Sequence, residues 1–190
     1  VRDDNMKPLY MIGCINEIGE RQKADNVSGL LGESGFREYM NQLDTPLETG
    51  YLLRIGIDHF KEINDNFGQE YGDFVLRKTA DCISGCISEA QKVYKLVADE
   101  FLILDVSSDE VKDADKLYDK VRNEIDRCIE SNEFKVMYTV SGGIVPFAAL
   151  KGNQYSEALK LTDFALNEAK KLGRNRCYIF NEETYRRFLR

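Results

Sequence analysis

Two adjacent acids, Asp99 and Glu100, sit between two apolar runs in YKLVADEFLIL, Tyr94 to Leu104. Apolar runs of this length read as buried strands, so the pair lies at or near the turn that joins them. Two readings are open here: ordinary turn acids, or half of an active site. More polar and acidic residues, Asp58 to Asp73, follow the apolar run YLLRIGI, Tyr51 to Ile57. Acids converging from two strand ends suit a divalent cation, because hard cations prefer carboxylate oxygens. Lys170 and Arg174 stand four apart near the end of a helical stretch, placed to reach one ligand together. A helix starting near Asp73, with the loop before it, offers free N–H groups that suit phosphate. Combined, these features make a nucleotide site; the alternative is a set of solvated charges on strand ends.

The elements that must position these residues follow from apolar spacing. YLLRIGI is nearly continuous, as expected of a central strand. Asn64 to Asp73 is polar and broken by glycine, which predicts a loop. Val75, Leu76, Ala80, Ile83 and Ile87 recur at helical spacing from Phe74 onward. Lys92–Val97 and Phe101–Val106 read as two strands joined across Ala98, Asp99 and Glu100. Val111, Ala114, Leu117, Val121, Ile125 and Cys128 mark a long amphipathic helix. Lys135 to Phe147 reads as a strand in which Gly142-Gly143 suggests a bulge. Ala158 to Leu172 forms the last long helix, stopped by Gly173, and Arg176 to Phe180 is the closing strand. Earlier, Ser34 is placed to cap a short helix from Gly35 to Leu43. The order β-α-β-β-α-β-α-β begins with the split βαβ pattern of ferredoxin-like folds. The fold class is therefore α+β, a mainly antiparallel five-stranded sheet flanked by helices.

The totals bound the possibilities. A chain of 190 residues, 43% hydrophobic, suits one domain plus a short extension. A net charge of −7 argues against a basic footprint for nucleic acid. No apolar run reaches the roughly 18 residues of a membrane span. Five scattered cysteines and a single histidine suggest neither a disulfide framework nor a zinc site, which points to a reducing compartment. Val1 in place of an initiator Met suggests a longer parent chain.

Four ordered stretches carry a resemblance to a known family. IDHFKEINDNFGQEYGDFVLRKTA (Ile57 to Ala80), VADEF (Val97 to Phe101), YTVSGGIV and DFALNEAKKLGRNRCYIF (Asp163 to Phe180) resemble the GGDEF family of diguanylate cyclases. DNVSGL (Asp25 to Leu30) is a weaker match to the family's opening motif. The resemblance covers roughly Asp25 to Phe180 and implies the nucleotide-cyclase palm fold. It also implies joining of two GTP molecules into cyclic di-GMP across a homodimer, with Mg²⁺ or Mn²⁺. On the matching positions, Asn64 and Asp73 would bond the guanine edge. Phe60 and Lys61 would meet phosphate by backbone, with Lys170 and Arg174 contacting it by side chain. Asp99 and the Ile57 carbonyl would hold metal, and the catalytic Glu100 would serve metal and reacting hydroxyl.

This sequence departs from the family pattern at several places. The metal-binding Asp two residues before Asp58 is Gly56, and Asp58 is expected to face away and not replace it. The signature glycines are Val97 and Ala98, which should alter the turn or narrow the nucleotide space. The feedback-inhibition motif RxxD has Ser88 and Gln91 at its charged positions, and Gly32-Glu33 erodes the opening motif. The expectation is a degenerate GGDEF domain: a guanine-nucleotide-binding or dimerising regulatory module with cyclase activity absent or very weak, and metal binding weakened or lost. An active cyclase recruiting metal through Asp58, Asp99 and Glu100 is the alternative. Residues 1–24 resemble the last strand of a PAS sensor with its linker. Residues 25–182 are the GGDEF-like domain, and 183–190 resemble a connector into an EAL domain. The implied location is cytoplasmic, in a parent chain free to be membrane-anchored elsewhere.

Overall fold

The structure is a computed structural model that describes residues 24–43, 47–108, 110–131, 134–152 and 155–190. The N-terminal strand and PAS-like tail expected from the sequence lie outside these residues. The chain order is β1 (Leu31–Gly32), α1 (Glu33–Asn41), β2 (Tyr51–Ile57), α2 (Phe60–Phe67), α3 (Gln69–Cys86), β3 (Gln91–Lys95), β4 (Glu100–Asp105), α4 (Val111–Glu130), β5 (Val140–Pro146), a 3₁₀ turn (Phe147–Ala149), α5 (Tyr155–Lys171), β6 (Cys177–Ile179) and α6 (Glu182–Phe188).

The expected α+β class and antiparallel centre are present. The sheet has six strands rather than five, ordered β1-β3-β4-β2-β5-β6. The extra strand is the two-residue β1, which pairs in parallel with Tyr94 and Lys95 of β3. β6 joins the far edge in parallel with β5, and the inner pairings are antiparallel. β2 lies at the centre with all seven residues buried. Side chains alternate along it. Tyr51, Leu53, Ile55 and Ile57 pack with Val75, Ile83, Val121 and Ile125 of α3 and α4. Leu52 faces the opposite layer, with Phe36, Leu161 and Ala165 of α1 and α5. Arg54 and Gly56 therefore belong to the α5 side.

Three local expectations are corrected. Asn64 to Asp73 is helical almost throughout, interrupted only at Gly68, whose φ of 82° separates α2 from α3. The helical stripe continues through the polar stretch: Tyr71 lies 5.3 Å from Phe67 and 5.7 Å from Phe74, ring to ring. The second helix thus begins at Gln69, and Asp73 sits inside it. Gly142-Gly143 makes no bulge, since β5 pairs with β2 in unbroken register from Pro146 to Val140. The glycines serve close packing instead. A Cβ on Gly143 would stand 2.3 Å from the Leu166 nitrogen, so α5 lies directly against the sheet there. Finally, α1 starts at Glu33 with Gly32 at its cap, and Ser34 lies within the helix.

The charged closing stretch forms α6, capped by Asn181 Oδ1 accepting from the Thr184 N–H at 2.9 Å. The expected boundary after residue 182 falls in its first turn. Tyr185 meets Phe164 of α5 edge-on and Phe188 meets it at a tilt, with ring centroids 4.9 and 5.3 Å apart. Among the described residues no helix is long and apolar enough to cross a membrane.

Candidate functional site

The hairpin between β3 and β4 brings Asp99 and Glu100 to the end of β2. The Leu96 N–H donates to the Glu100 carbonyl at 2.9 Å, and the Glu100 N–H to the Val97 carbonyl at 3.2 Å. The tight turn survives without its glycines. Ala98 takes the left-handed conformation at φ 52°, while Val97 points outward and is 63% exposed. Lys95, almost fully buried, ties the turn from below. Its ammonium donates to the carbonyls of Leu96 (2.9 Å) and Ala98 and lies 5.2 Å from the Phe101 ring. Burial pushes the Lys95 pKa down, opposed by Asp25, Asp99 and Glu100. The Ile57 N–H donates to the Asp99 carbonyl at 3.3 Å, so the positions expected to hold metal are neighbours.

Asp99 lines a cleft of about 540 Å³ together with Phe60, Lys61, Asn64, Gln69, Asp73, Leu76 and Ala98. The structure thus gathers four of the six expected nucleotide-binding residues around one space. Asn64 is seated against Gly72, where a Cβ would stand 1.8 Å from Asn64 Oδ1. That Oδ1 is buried with no hydrogen-bond donor, the single such side-chain atom among the described residues. An orphaned buried acceptor is costly unless a ligand satisfies it. Burial raises the Asp99 pKa and so does neighbouring Glu100, while Lys170 and Lys95 oppose the rise.

Glu100 faces the other way, toward α5, and its partners were missed in the sequence. Arg54 Nε donates to Glu100 Oε2 at 2.7 Å, and Arg54 Nη2 closes a second contact to the same oxygen. Arg54 is only 6% exposed. Its remaining donors meet the Leu159 carbonyl (3.1 Å) and Asp163 Oδ1 (3.5 Å). Lys170 Nζ stands 3.8 Å from Glu100 Oε1. The same ammonium lies 3.2 Å from where a Cβ on Gly56 would be. A basic residue inside an otherwise apolar strand, two places before a glycine on the same face, was the available signal. The expected phosphate contact Arg174 follows α5 on the surface, at φ 61°, and does not line the cleft.

Asp58 does not approach Asp99 and Glu100 as a ligand. Positions two apart share a strand face, so alternation does not remove it from the Gly56 side. Its hydrogen bonds do. The carboxylate is 2% exposed and accepts from Thr139 Oγ1 (2.7 Å), Ser141 Oγ (2.7 Å) and the Asn175 N–H (3.1 Å). Ser88 and Gln91 also have internal roles. Gln91 Oε1 accepts from the Ser88 N–H at 2.9 Å, and Gln91 Nε2 donates to Asp105 Oδ2 at 2.7 Å.

These residues do not fit a divalent ion. Position 56 supplies no side-chain oxygen, both Glu100 oxygens face cations, and Asp58 is held by three donors, which leaves Asp99 as the one expected acid open to the cleft. Among the described residues no three acids, histidines or cysteines converge to hold a metal.

Residues 23–176 match the family model described as diguanylate cyclase, GGDEF domain. Diguanylate cyclase DgcZ of Escherichia coli K12 is 29% identical over 167 residues, 86% of this chain and 55% of DgcZ. Cyclic di-GMP phosphodiesterase NbdA of Pseudomonas aeruginosa is 27% identical over 171 residues, 87% of this chain but 22% of NbdA. The chain thus spans between a fifth and just over half of these relatives. Among solved structures, the GGDEF domain of P. aeruginosa PA1120 (TpbB or YfiN) superposes with TM-score 0.74 at 24% identity, covering 88% of this chain and 99% of that one. The active GGEEF domain of a Vibrio cholerae diguanylate cyclase gives TM-score 0.58 at 27% identity, covering 78% and 90%. The hairpin, the cleft beside it and the match over most of the length place this chain in the GGDEF family.

Proposed function

We propose that this GGDEF domain is a regulatory module that binds a guanine nucleotide, pairs with a second copy, and has little or no cyclase activity. GGDEF domains bind GTP and act as dimers, and diguanylate cyclases generally use Mg²⁺ or Mn²⁺. The reading rests on the division of this site into two halves. On one side, Asn64 and Asp73 line an open cleft, with a buried Asn64 Oδ1 that lacks a donor in the structure, and a guanine edge rich in N–H donors would suit them. On the other, Glu100, the acid assigned to the reacting hydroxyl, is neutralised by Arg54. A carboxylate oxygen already held by a buried guanidinium is poorly placed to take a metal ion as well. A PAS-like module before residue 25 and an EAL domain after residue 182 would supply input and output.

Incubation with GTP and Mg²⁺ or Mn²⁺ at high protein concentration tests the catalytic half. No cyclic di-GMP above background is expected; turnover abolished by Glu100→Ala would overturn the reading. Calorimetry tests the binding half. GTP should bind more tightly than ATP, and Asp73→Ala should shrink that preference by about tenfold, the loss of a hydrogen bond to a charged acceptor. Equal binding of GTP and ATP by both proteins would defeat the guanine assignment.

A further inference from the structure

We infer that Arg54 and Lys170 take the charge-compensating place of a divalent ion, making this a site for a phosphate-bearing guanine nucleotide without metal. The inference rests on the guanine-nucleotide reading above and adds the form in which the nucleotide is held.

Three observations lead to it. The first is Arg54 itself. It stands in a fully buried and otherwise apolar strand, and a guanidinium stays charged under all ordinary conditions. Such a group is tolerated inside only when its donors are matched, and here Glu100, Leu159 and Asp163 match them. Glu100 is thereby held on the α5 side. The second is the space at Gly56. Lys170 Nζ occupies the position next to the missing Cβ, so a cation stands where an acid at 56 would project. The third is the local balance. Arg54 and Lys170 both stand against Glu100, so the charge of its carboxylate is compensated before any divalent cation arrives.

The same arrangement favours a free phosphate group. Because Arg54 already compensates Glu100, the Lys170 ammonium at 3.8 Å is left to serve an incoming anion. Lys170 keeps 24% of its side chain exposed, and its partner Glu100 follows Asp99, which lines the cleft. Lys61 lines that cleft directly. A nucleotide held this way keeps its full phosphate charge, whereas a bound magnesium ion would mask the charge that Lys170 and Lys61 recognise. Arg54 is then a positioning residue: it reaches the ligand only through Glu100 and Lys170.

The test is GTP titration by calorimetry in EDTA and in Mg²⁺, with Mn²⁺ titration followed by electron paramagnetic resonance. For the natural chain, the GTP affinity in EDTA should equal or exceed that in Mg²⁺, and free Mn²⁺ should show no protein-bound fraction. The double variant Arg54→Met with Gly56→Asp should gain Mn²⁺ binding by at least about tenfold, the scale on which single ligand-shell changes act. Its GTP binding should become metal-dependent. Circular dichroism checks that it folds, and the comparison of EDTA with Mg²⁺ in the natural chain needs no variant. GTP binding that vanishes in EDTA would overturn the inference while leaving the nucleotide reading intact. Mn²⁺ binding by the natural chain that is lost in Glu100→Gln would do the same, as would a folded double variant that gains none. Absence of GTP binding in both buffers would overturn the nucleotide reading, and this inference with it.

Discussion

Replacing Asp58 by alanine separates a structural acid from a metal ligand. The carboxylate joins three parts of the chain: the end of β2, the start of β5 through Thr139 and Ser141, and the loop after α5 through Asn175. Asp58 also donates its own N–H to the Thr139 carbonyl at 2.8 Å, a bond the substitution leaves in place. Alanine strands three donors. Ser141 is fully buried, so its hydroxyl has no water to turn to. At about 1–3 kcal/mol per unsatisfied buried group, and with Thr139 partly solvated, the loss comes to about 4 kcal/mol. That is a large part of the 5–15 kcal/mol typical of a domain, and it lowers the melting temperature by roughly 8–16 °C at this size. Asp58→Asn keeps the shape and one acceptor, and the Ser and Thr hydroxyls can rotate to meet its amide, so about half that loss is expected. Urea unfolding followed by circular dichroism measures both variants. If Asp58→Ala unfolds within about 1 kcal/mol of the natural chain while abolishing bound Mn²⁺, Asp58 is a metal ligand and the reasoning fails.

Ala98→Gly should stabilise the protein by about 1 kcal/mol, since an alanine at φ 52° bears most of the left-handed penalty that glycine avoids; a lower melting temperature would show that the turn is not built this way. Acid should expose the part played by Asp105. Burial alone would raise its pKa, but hydrogen bonds from Gln91, Ser107 and Ser108 outweigh that and hold it down to about 2. A carboxyl depressed in the folded state contributes stability above its unfolded pKa, near 3.9, and loses it as pH falls toward 2. Urea melts at pH 5 and pH 2.5 should therefore differ by about 2 kcal/mol less in Asp105→Asn than in the natural chain; an unchanged difference would refute the assignment. Cys82 and Cys128 bring their sulfurs to 3.4 Å across α3 and α4. Diamide, which accepts the two electrons and two protons released, should join them as a disulfide, slowly at neutral pH because burial pushes the Cys82 thiol up. Peptide mapping after treatment at pH 9 that finds no such link would refute that proximity.

How much of this was legible in the sequence depended on whether a residue acts through its neighbours in the chain or across the sheet. The hairpin was legible because two apolar runs flank a short polar gap. Its acids were legible as a pair because nothing else interrupts those runs. The α2–α3 region was misread as a loop because glycine and polar residues outnumber apolar ones there. Yet Phe60, Ile63, Phe67, Tyr71 and Phe74 recur at helical spacing, and that periodicity decides the structure. The glycine pair in β5 was misread because local pattern carries no record of how closely α5 lies on the sheet. Arg54 was overlooked for the same reason: its significance lies in Glu100, forty-six positions away, and in Lys170 beyond that. Asp58 makes the converse point. Its donor net would hold the strand ends together whether or not the hairpin acids catalyse anything. The frame that presents a GGDEF signature and the chemistry of that signature thus rest on different residues. Likeness of fold to active cyclases reports on the frame, while residues 54, 56, 100 and 170 determine the chemistry. On the inference above, Arg54 and Gly56 beside a retained Glu100 and Lys170 would turn a metal site into a fixed-cation site without disturbing the backbone that both share.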